Sequence, residues 1–390
     1  MTAPRSPFAR RAAAGLAVLA TVMATGCSAD DTTEAPTAGA EPTSEARDYD
    51  LSAVRPVVDA FLAEHGLDGA GLVVVDEDDG IVGQEYWGGF DADRVSLVAS
   101  ATKMVTAGVL VHLADQGELD LDRPIAEYVD WAAGANPAIT VAQLLSNSSG
   151  LVGLGPNPGY GPYVCQFLPT AELEECAAAA WTTPADDADV VPPDTEFRYG
   201  GVQWQIAGAV AETVSGRSWA ELVDETYGPC GLDSLGYTNH WTSLGGGFGY
   251  PPDFDGDTSL LPDTQNPHME GGLSIDPPDY AQLLLMHLRD GRCGDTQVLE
   301  PASVERMHTD RIGPAYGGGT PTGTGYGFGW WVDRDGSGRI NDPGAYGAVP
   351  WLDLDGGFGA YLVLEADAQL GLQLAAQLYD PVESAVTAAR

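Results

Sequence analysis

The chain has a single lysine. Its 17 basic residues are 16 arginines and Lys103, and Lys103 heads the run Met104-Val105-Thr106-Ala107-Gly108-Val109-Leu110-Val111-His112-Leu113. A run this apolar fits a helix buried on all sides. The amine at its start is thereby placed against the core, and burial pushes a lysine pKa down. Ser100 stands one helical turn earlier. Residues three apart share a helix face, so its hydroxyl and the Lys103 amine fall within hydrogen-bonding reach. Ser100 would also lie at the helix N-terminus, where the dipole and free N–H groups favour a developing anion and disfavour a cation. The expectation is a neutral amine beside a serine hydroxyl, a nucleophile carrying its own base.

The length suits one large domain or two closely joined ones, and 44% apolar residues are ample for a core. A net charge of −40 argues against nucleic acid as a partner. It serves solubility and says little about a reaction. At the N-terminus, Arg5, Arg10 and Arg11 precede an apolar run from Ala12 to Ala24, too short to span a bilayer. This is an export signal. It ends in Ala24-Thr25-Gly26-Cys27, a pattern similar to a bacterial lipobox cleaved before Cys27. The expectation is a signal peptide over residues 1–27 and a lipid on Cys27 that anchors an extracytoplasmic protein to the bacterial cell membrane. Residues 28–49, rich in Asp, Glu, Thr, Pro, Ala and Ser, read as a tether. Four cysteines then remain, and an even count in an exported chain suggests two disulfides. Cys165 with Cys176 would staple a local loop, and Cys230 with Cys293 would form the long bridge. No Cys-x-x-Cys pair or His-Glu-x-x-His spacing is present, so neither a metal nor another cofactor is expected.

Along residues 50–390, Val54, Val57, Val58, Phe61 and Leu62 carry helical spacing. Gly71–Val75 and Ile81–Trp87 read as a hairpin about the turn Asp76–Gly80. From about 119 to 270 strand signals are few; Val141–Leu145 and Gln203–Val214 look helical. The Gly- and Pro-rich stretch Gly150–Phe197 has the length of a functional loop. Asp279–Arg289 and Pro301–His308 read as helices. Strands are expected again at Tyr326–Val332, Gly357–Leu364 and Leu370–Leu378, with a helix at the end. The fold class is α+β: an antiparallel sheet flanked by helices and interrupted by a mainly helical insertion.

Four stretches carry a resemblance to a known family. They are Ser100-Ala101-Thr102-Lys103; Asp120–Ile125 followed by Ile139–Leu151; Phe197-Arg198-Tyr199-Gly200-Gly201 with Ala207-Gly208 and Val214-Ser215-Gly216; and Glu270-Gly271-Gly272-Leu273-Ser274 with Asp279-Tyr280-Ala281. From about Ala53 onward the chain resembles the serine β-lactamase-related hydrolases, which include class C β-lactamases, penicillin-binding DD-peptidases and esterases. The resemblance implies the β-lactamase/transpeptidase fold and an acyl-enzyme on Ser100. Lys103 and Tyr199 would share the proton transfers. Two backbone donors would hold the oxyanion.

The chain departs from that family twice. The asparagine two residues after the tyrosine is Gly201 here, so a substrate clamp is missing. The final Lys-Thr-Gly or His-x-Gly motif aligns best with Asp342-Pro343-Gly344-Ala345. That alignment makes the Ala345 N–H the second oxyanion donor and puts Asp342 where the family keeps a cation. A carboxylate there would repel the carboxylate of β-lactams and D-Ala-D-Ala peptides. The expected substrate is therefore a small ester, amide or peptide, and the expected activity that of an esterase or amidase. A β-lactamase or D-Ala-D-Ala carboxypeptidase, and a non-catalytic binding or sensor protein of the same fold, are the alternatives. Trp330, Trp331 and Trp351 could line an acyl pocket or belong to the core. Asp333-x-Asp335-x-Ser337 resembles the start of a calcium loop, but the twelfth position is Gly344 and the stretch reads as a hairpin turn. With no Gly-x-Ser-x-Gly elbow, an α/β-hydrolase triad is disfavoured.

Overall fold

The computed structural model describes residues 47–133, 138–154, 161–182, 190–245, 249–313, 316–318 and 320–390. The stretch expected to be a signal peptide, Cys27 and the expected tether up to residue 46 lie outside the described residues. The fold begins slightly before the expected boundary. Arg47 pairs with Asp78 at 2.9 Å, and the Tyr49 hydroxyl donates to Asp79 at 2.7 Å.

Nine helices are found among the described residues: α1 Val54–His65, α2 Lys103–Asp115, α3 Val141–Leu145, α4 Leu173–Trp181, α5 Gln203–Ser215, α6 Trp219–Tyr227, α7 Pro277–Leu288, α8 Pro301–His308 and α9 Ala368–Ala389. The main sheet has seven strands, every neighbouring pair antiparallel. Their order is Thr324–Tyr326, Trp331–Asp333, Arg339–Asn341, Val349–Asp353, Phe358–Val363, Gly69–Asp76, Gly80–Gly88. The N-terminal hairpin is thus zipped onto the C-terminal meander, with Gly71 opposite Val363 and Asp76 opposite Phe358.

Gly69–Asp76 is buried along its whole length because both sheet faces are covered. Its side chains alternate between two cores. Ala70, Leu72 and Val74 pack with Val54, Val58 and Phe61 of α1 and Leu374, Leu378 and Val382 of α9. Val73 and Val75 face the larger core, which contains α2 and α7. There α2 is buried at every residue from Lys103 to Val111, as its all-round apolar sequence requires.

A small three-stranded sheet fixes the region of interest. Leu273–Ile275 lies between Ser96–Leu97 and Gly236–Tyr237. It sets the chain entering α2 beside Glu270-Gly271-Gly272. Two disulfides, Cys165–Cys176 and Cys230–Cys293, have the expected pairing. The second spans 63 residues, and loop-closure entropy alone makes such a bridge worth about 4 kcal/mol.

Two strand expectations are corrected. Leu370–Leu378 is part of α9. Tyr326–Val332 is two strands with a turn between them, in which Gly329, at φ +80°, lies against the backbone of Met104 too closely for any side chain. Asp333–Asn341 is the expected hairpin, but Arg339–Asn341 and Val349–Asp353 are strands that were not foreseen.

Candidate active site

The chain enters the site from Ser96–Leu97 and passes Ala99, which holds a left-handed φ of 46°. A non-glycine residue there costs about 1–2 kcal/mol and persists only where its surroundings enforce it. Here the Thr102 hydroxyl donates to the Ala99 carbonyl at 2.6 Å and accepts the Leu273 N–H at 3.1 Å. The Tyr280 hydroxyl holds the Ala101 carbonyl at 2.7 Å. Ser100 lies in this tight turn, Ala99–Thr102, which runs directly into α2.

Lys103 is fully buried. Its Nζ donates to the Ser100 Oγ at 3.0 Å and to the Glu270 carbonyl at 3.1 Å, and lies 3.2 Å from the Glu270 Oε2. The Tyr199 ring stands 4.6 Å from the same nitrogen, and its hydroxyl interacts electrostatically with the Ser100 and Lys103 side chains. The three residues singled out from sequence therefore meet in one group.

The expectation of a neutral amine is not met. Burial pulls the Lys103 pKa down, but the Glu270 carboxylate 3.2 Å away opposes it, and the net direction is upward from the ordinary value. That direction, with the Glu270 carboxylate in contact, favours the ammonium. Burial likewise lifts the Tyr199 pKa above its usual value, against the pull of Lys103, and keeps the phenol protonated.

Glu270 was not picked out as a functional residue, although it heads a recognised block. Its carboxylate faces the Lys103 ammonium and accepts the Gly201 N–H on both oxygens, at 3.2 and 3.1 Å. A buried lone lysine requires a counter-ion, and that requirement was the available signal. Asn147, also missed, holds the Tyr199 loop. Its Oδ1 accepts the Gly200 N–H at 3.0 Å, the Gln203 side chain at 2.9 Å and the Trp204 indole at 3.0 Å. Its carbonyl takes the Arg198 N–H at 2.8 Å.

The substrate-binding assignments are partly corrected. Gly201 is not on the cleft wall: at φ +79° a Cβ would lie 2.8 Å from the Val152 carbonyl, and its N–H is engaged by Glu270. Asp342 is fully buried, with Oδ2 accepting the Met104 N–H at 3.2 Å and Oδ1 unpaired among the described residues. Burial raises its pKa well above the ordinary carboxylate value, against the pull of Lys103, which favours the neutral acid. It cannot repel a substrate from there. The chain instead turns Asn341, Pro343 and Ala345 toward the cleft. Gly344 lies against the nucleophile turn, where a Cβ would sit 1.9 Å from the Val98 carbonyl. The N–H groups of Ser100 and Ala345 donate to no other group among the described residues.

The cleft above Ser100 has a volume of about 440 Å³ and is walled mainly by Leu154, Tyr199, Pro321, Trp331, Pro343 and Leu372. Asn341, Thr324 and Asp333 supply its polar groups, and no cationic side chain lines it among the described residues. Trp331 stacks on Tyr199 at 5.2 Å, whereas Trp330 and Trp351 are buried in the core.

A serine and a buried lysine on one turn, at the edge of an antiparallel sheet capped by a helical region, define a hydrolase of the β-lactamase fold. The chain belongs to the beta-lactamase family, whose profile matches residues 54–390. It is 29% identical over 311 residues to penicillin-binding protein 4 of Amycolatopsis lactamdurans, covering 74% of this chain and 77% of that one. It is 26% identical over 224 residues to esterase EstB of Burkholderia gladioli, covering 52% and 56%. Its fold is similar to that of a penicillin-binding protein homologue from Caulobacter crescentus, with a TM-score of 0.67 at 20% identity over 87% of this chain and 97% of that one.

Proposed function

We propose that the protein is an exported, lipid-anchored serine hydrolase that forms an acyl-enzyme on Ser100 and acts on small esters or amides with an apolar acyl group. The observation that carries this reading is the Lys103 Nζ at 3.0 Å from the Ser100 Oγ, at the base of an apolar cleft. Ser100 attacks the carbonyl carbon, and its proton passes into the Lys103–Tyr199 group. The N–H groups of Ser100 and Ala345 receive the oxyanion. Tyr199 protonates the leaving group, and water then releases the acyl chain through the same residues.

The preference for uncharged substrates rests on the absence of a cation from the cleft wall among the described residues, not on Asp342. A relative named as a penicillin-binding protein keeps open a second reading, a β-lactamase or D-Ala-D-Ala carboxypeptidase. A fluorophosphonate probe is expected to label the parent and not Ser100→Ala; equal labelling of both removes the assignment. Short acyl esters assayed beside D-Ala-D-Ala peptides and nitrocefin decide between the readings, and faster turnover of nitrocefin than of any ester overturns the preferred one.

Two disulfides in the folded domain support an oxidising compartment. Anchoring rests on the sequence ending at Cys27. Cells fed an alkyne fatty acid are expected to tag the parent and not Cys27→Ser. A tag that survives the substitution places the lipid elsewhere or refutes it.

A further inference from the structure

The Lys103 Nζ donates to the Ser100 Oγ and the Glu270 carbonyl and lies 3.2 Å from the Glu270 carboxylate, a setting that favours the ammonium, while burial favours the protonated phenol of Tyr199. A base is nevertheless needed when Ser100 attacks. The groups around Lys103 leave few choices. His268, whose Nε2 is 4.0 Å from the Glu270 carboxylate, is buried and neutral, its pKa pushed well down by burial, and its Nδ1 takes the Trp241 indole N–H at 3.0 Å. Asp342 makes no hydrogen bond with Lys103 among the described residues, its one donor is the Met104 N–H, and burial favours its protonated form. Glu270 remains. It is in direct contact with the Lys103 Nζ and is held in place by the Gly201 N–H.

We propose that Glu270 is the proton reservoir behind Lys103, drawing a proton from the ammonium so that Lys103 can act as the amine that deprotonates Ser100. This inference rests on the acyl-enzyme reading above. The protons balance through the cycle. Glu270 Oε2 takes one proton from the Lys103 Nζ. The Ser100 O–H bond breaks, its proton goes to the freed amine, and Oγ bonds to the carbonyl carbon while the carbonyl electron pair moves to oxygen. As the oxyanion collapses, the leaving group departs with the Tyr199 proton. Tyr199 is reprotonated by Lys103, and Lys103 by Glu270. Ser100 ends acylated, the leaving group ends protonated, and Lys103, Glu270 and Tyr199 return to their resting states.

The local backbone is shaped for this carboxylate. Gly200 and Gly201 both hold positive φ, +70° and +79°, and a Cβ on Gly200 would lie 2.6 Å from the Glu270 Oε2. The glycine pair that costs the site the family's asparagine is what lets the Tyr199 loop close over Glu270. Burial raises the Glu270 pKa against the pull of Lys103, which suits a carboxylate that must accept and return a proton. Glu270 acts through Lys103 and touches no substrate; it is a positioning residue.

The test is the pH profile of pre-steady-state acylation by a neutral p-nitrophenyl ester, measured on the parent, Glu270→Gln and Glu270→Asp. In the parent the acid limb reports protonation of the Lys103–Glu270 pair. In Glu270→Gln only Lys103 can lose the proton. The limb is expected to move to higher pH, with acylation at neutral pH falling at least about tenfold and recovering in alkali. Glu270→Asp, which keeps the carboxylate, is expected to hold the parent's limb at a reduced rate. A limb in Glu270→Gln that stays put or moves to lower pH, with acylation unchanged or faster, overturns the proposal. If Glu270→Gln has lost its near-ultraviolet circular dichroism, Glu270→Asp decides: a limb displaced to higher pH overturns the proposal as well. If the parent itself forms no acyl adduct on Ser100 by mass spectrometry, the acyl-enzyme reading fails, and this inference falls with it.

Discussion

Asp342 has one N–H donor on one carboxyl oxygen and, among the described residues, no partner on the other. It is sealed behind the strand segment whose neighbours Asn341 and Pro343 face the cleft. Its folded pKa lies well above its unfolded value, chiefly through burial. The sign of the linkage follows. The protonated form is favoured by folding, so its stabilising contribution is complete below the unfolded value, about pH 4, and is lost as pH rises through the folded value. Asparagine keeps the shape and the acceptor for Met104 and cannot ionise. Asp342→Asn is therefore expected to gain on the parent as pH rises, read as the difference in unfolding midpoint at about pH 4.5 and about pH 8. Glu270 is raised in the same direction but is present in both proteins and cancels. A difference that is constant, or that moves against the variant, would mean that Asp342 is ionised in the fold. At this scale the sequence exposed Ser100 and Lys103, because their spacing and type are chemical, whereas Tyr199 was pointed to only by the family resemblance. It could not expose charge states. Whether a buried lysine is neutral depends on which carboxylate reaches it, and Glu270 does so from 167 positions away.

Elements were legible where one periodicity dominated and ambiguous where two coincided. The hairpin Gly69–Gly88, α1 and α7 were foreseen to within a few residues, because turn signals and apolar spacing agree there. In α9, Leu370, Leu372 and Leu374 alternate as a strand would. The buried set Gly371, Leu374, Ala375, Leu378 and Val382 has helical spacing, and the Asp367 side chain caps the N–H groups of Gln369 and Leu370 at 2.8 and 3.0 Å. The cap was the deciding signal. Arg339–Asn341 escaped notice because three residues of mixed polarity carry no pattern, and Val349–Asp353 because Pro350 reads as a break. These misses bear on the site. The cleft wall is built from the ends of strands that lacked a signal and from Ala368 and Leu372 of the helix first read as a strand. The nucleophile was thus readable without its pocket, and substrate preference could only be argued once the wall was in place.

For the whole molecule the governing quantity is a net charge of −40. Several arginines are already committed: Arg47, Arg55, Arg94, Arg217, Arg306, Arg334 and Arg390 each lie within ion-pair distance of a carboxylate. The excess is therefore of one sign and has no protein cation to meet it. Two effects of salt compete. Screening weakens the surface arginine pairs, each worth about 0–1 kcal/mol when exposed. It also weakens repulsion among the surplus carboxylates, which reach one another over a Debye length of about 30 Å at 0.01 M salt but only about 3 Å at 1 M. The pairs are few and the repelling charges many, so repulsion dominates. The unfolding midpoint is expected to rise as sodium chloride is taken from about 0.01 M to about 1 M. The Lys103–Glu270 pair is buried beyond the reach of mobile ions, so the rate at which an uncharged probe labels Ser100 is expected to stay level over the same range. A midpoint that falls with salt would assign the stability to the arginine pairs. A labelling rate that falls alongside a rising midpoint would show the surface charge reaching into the site.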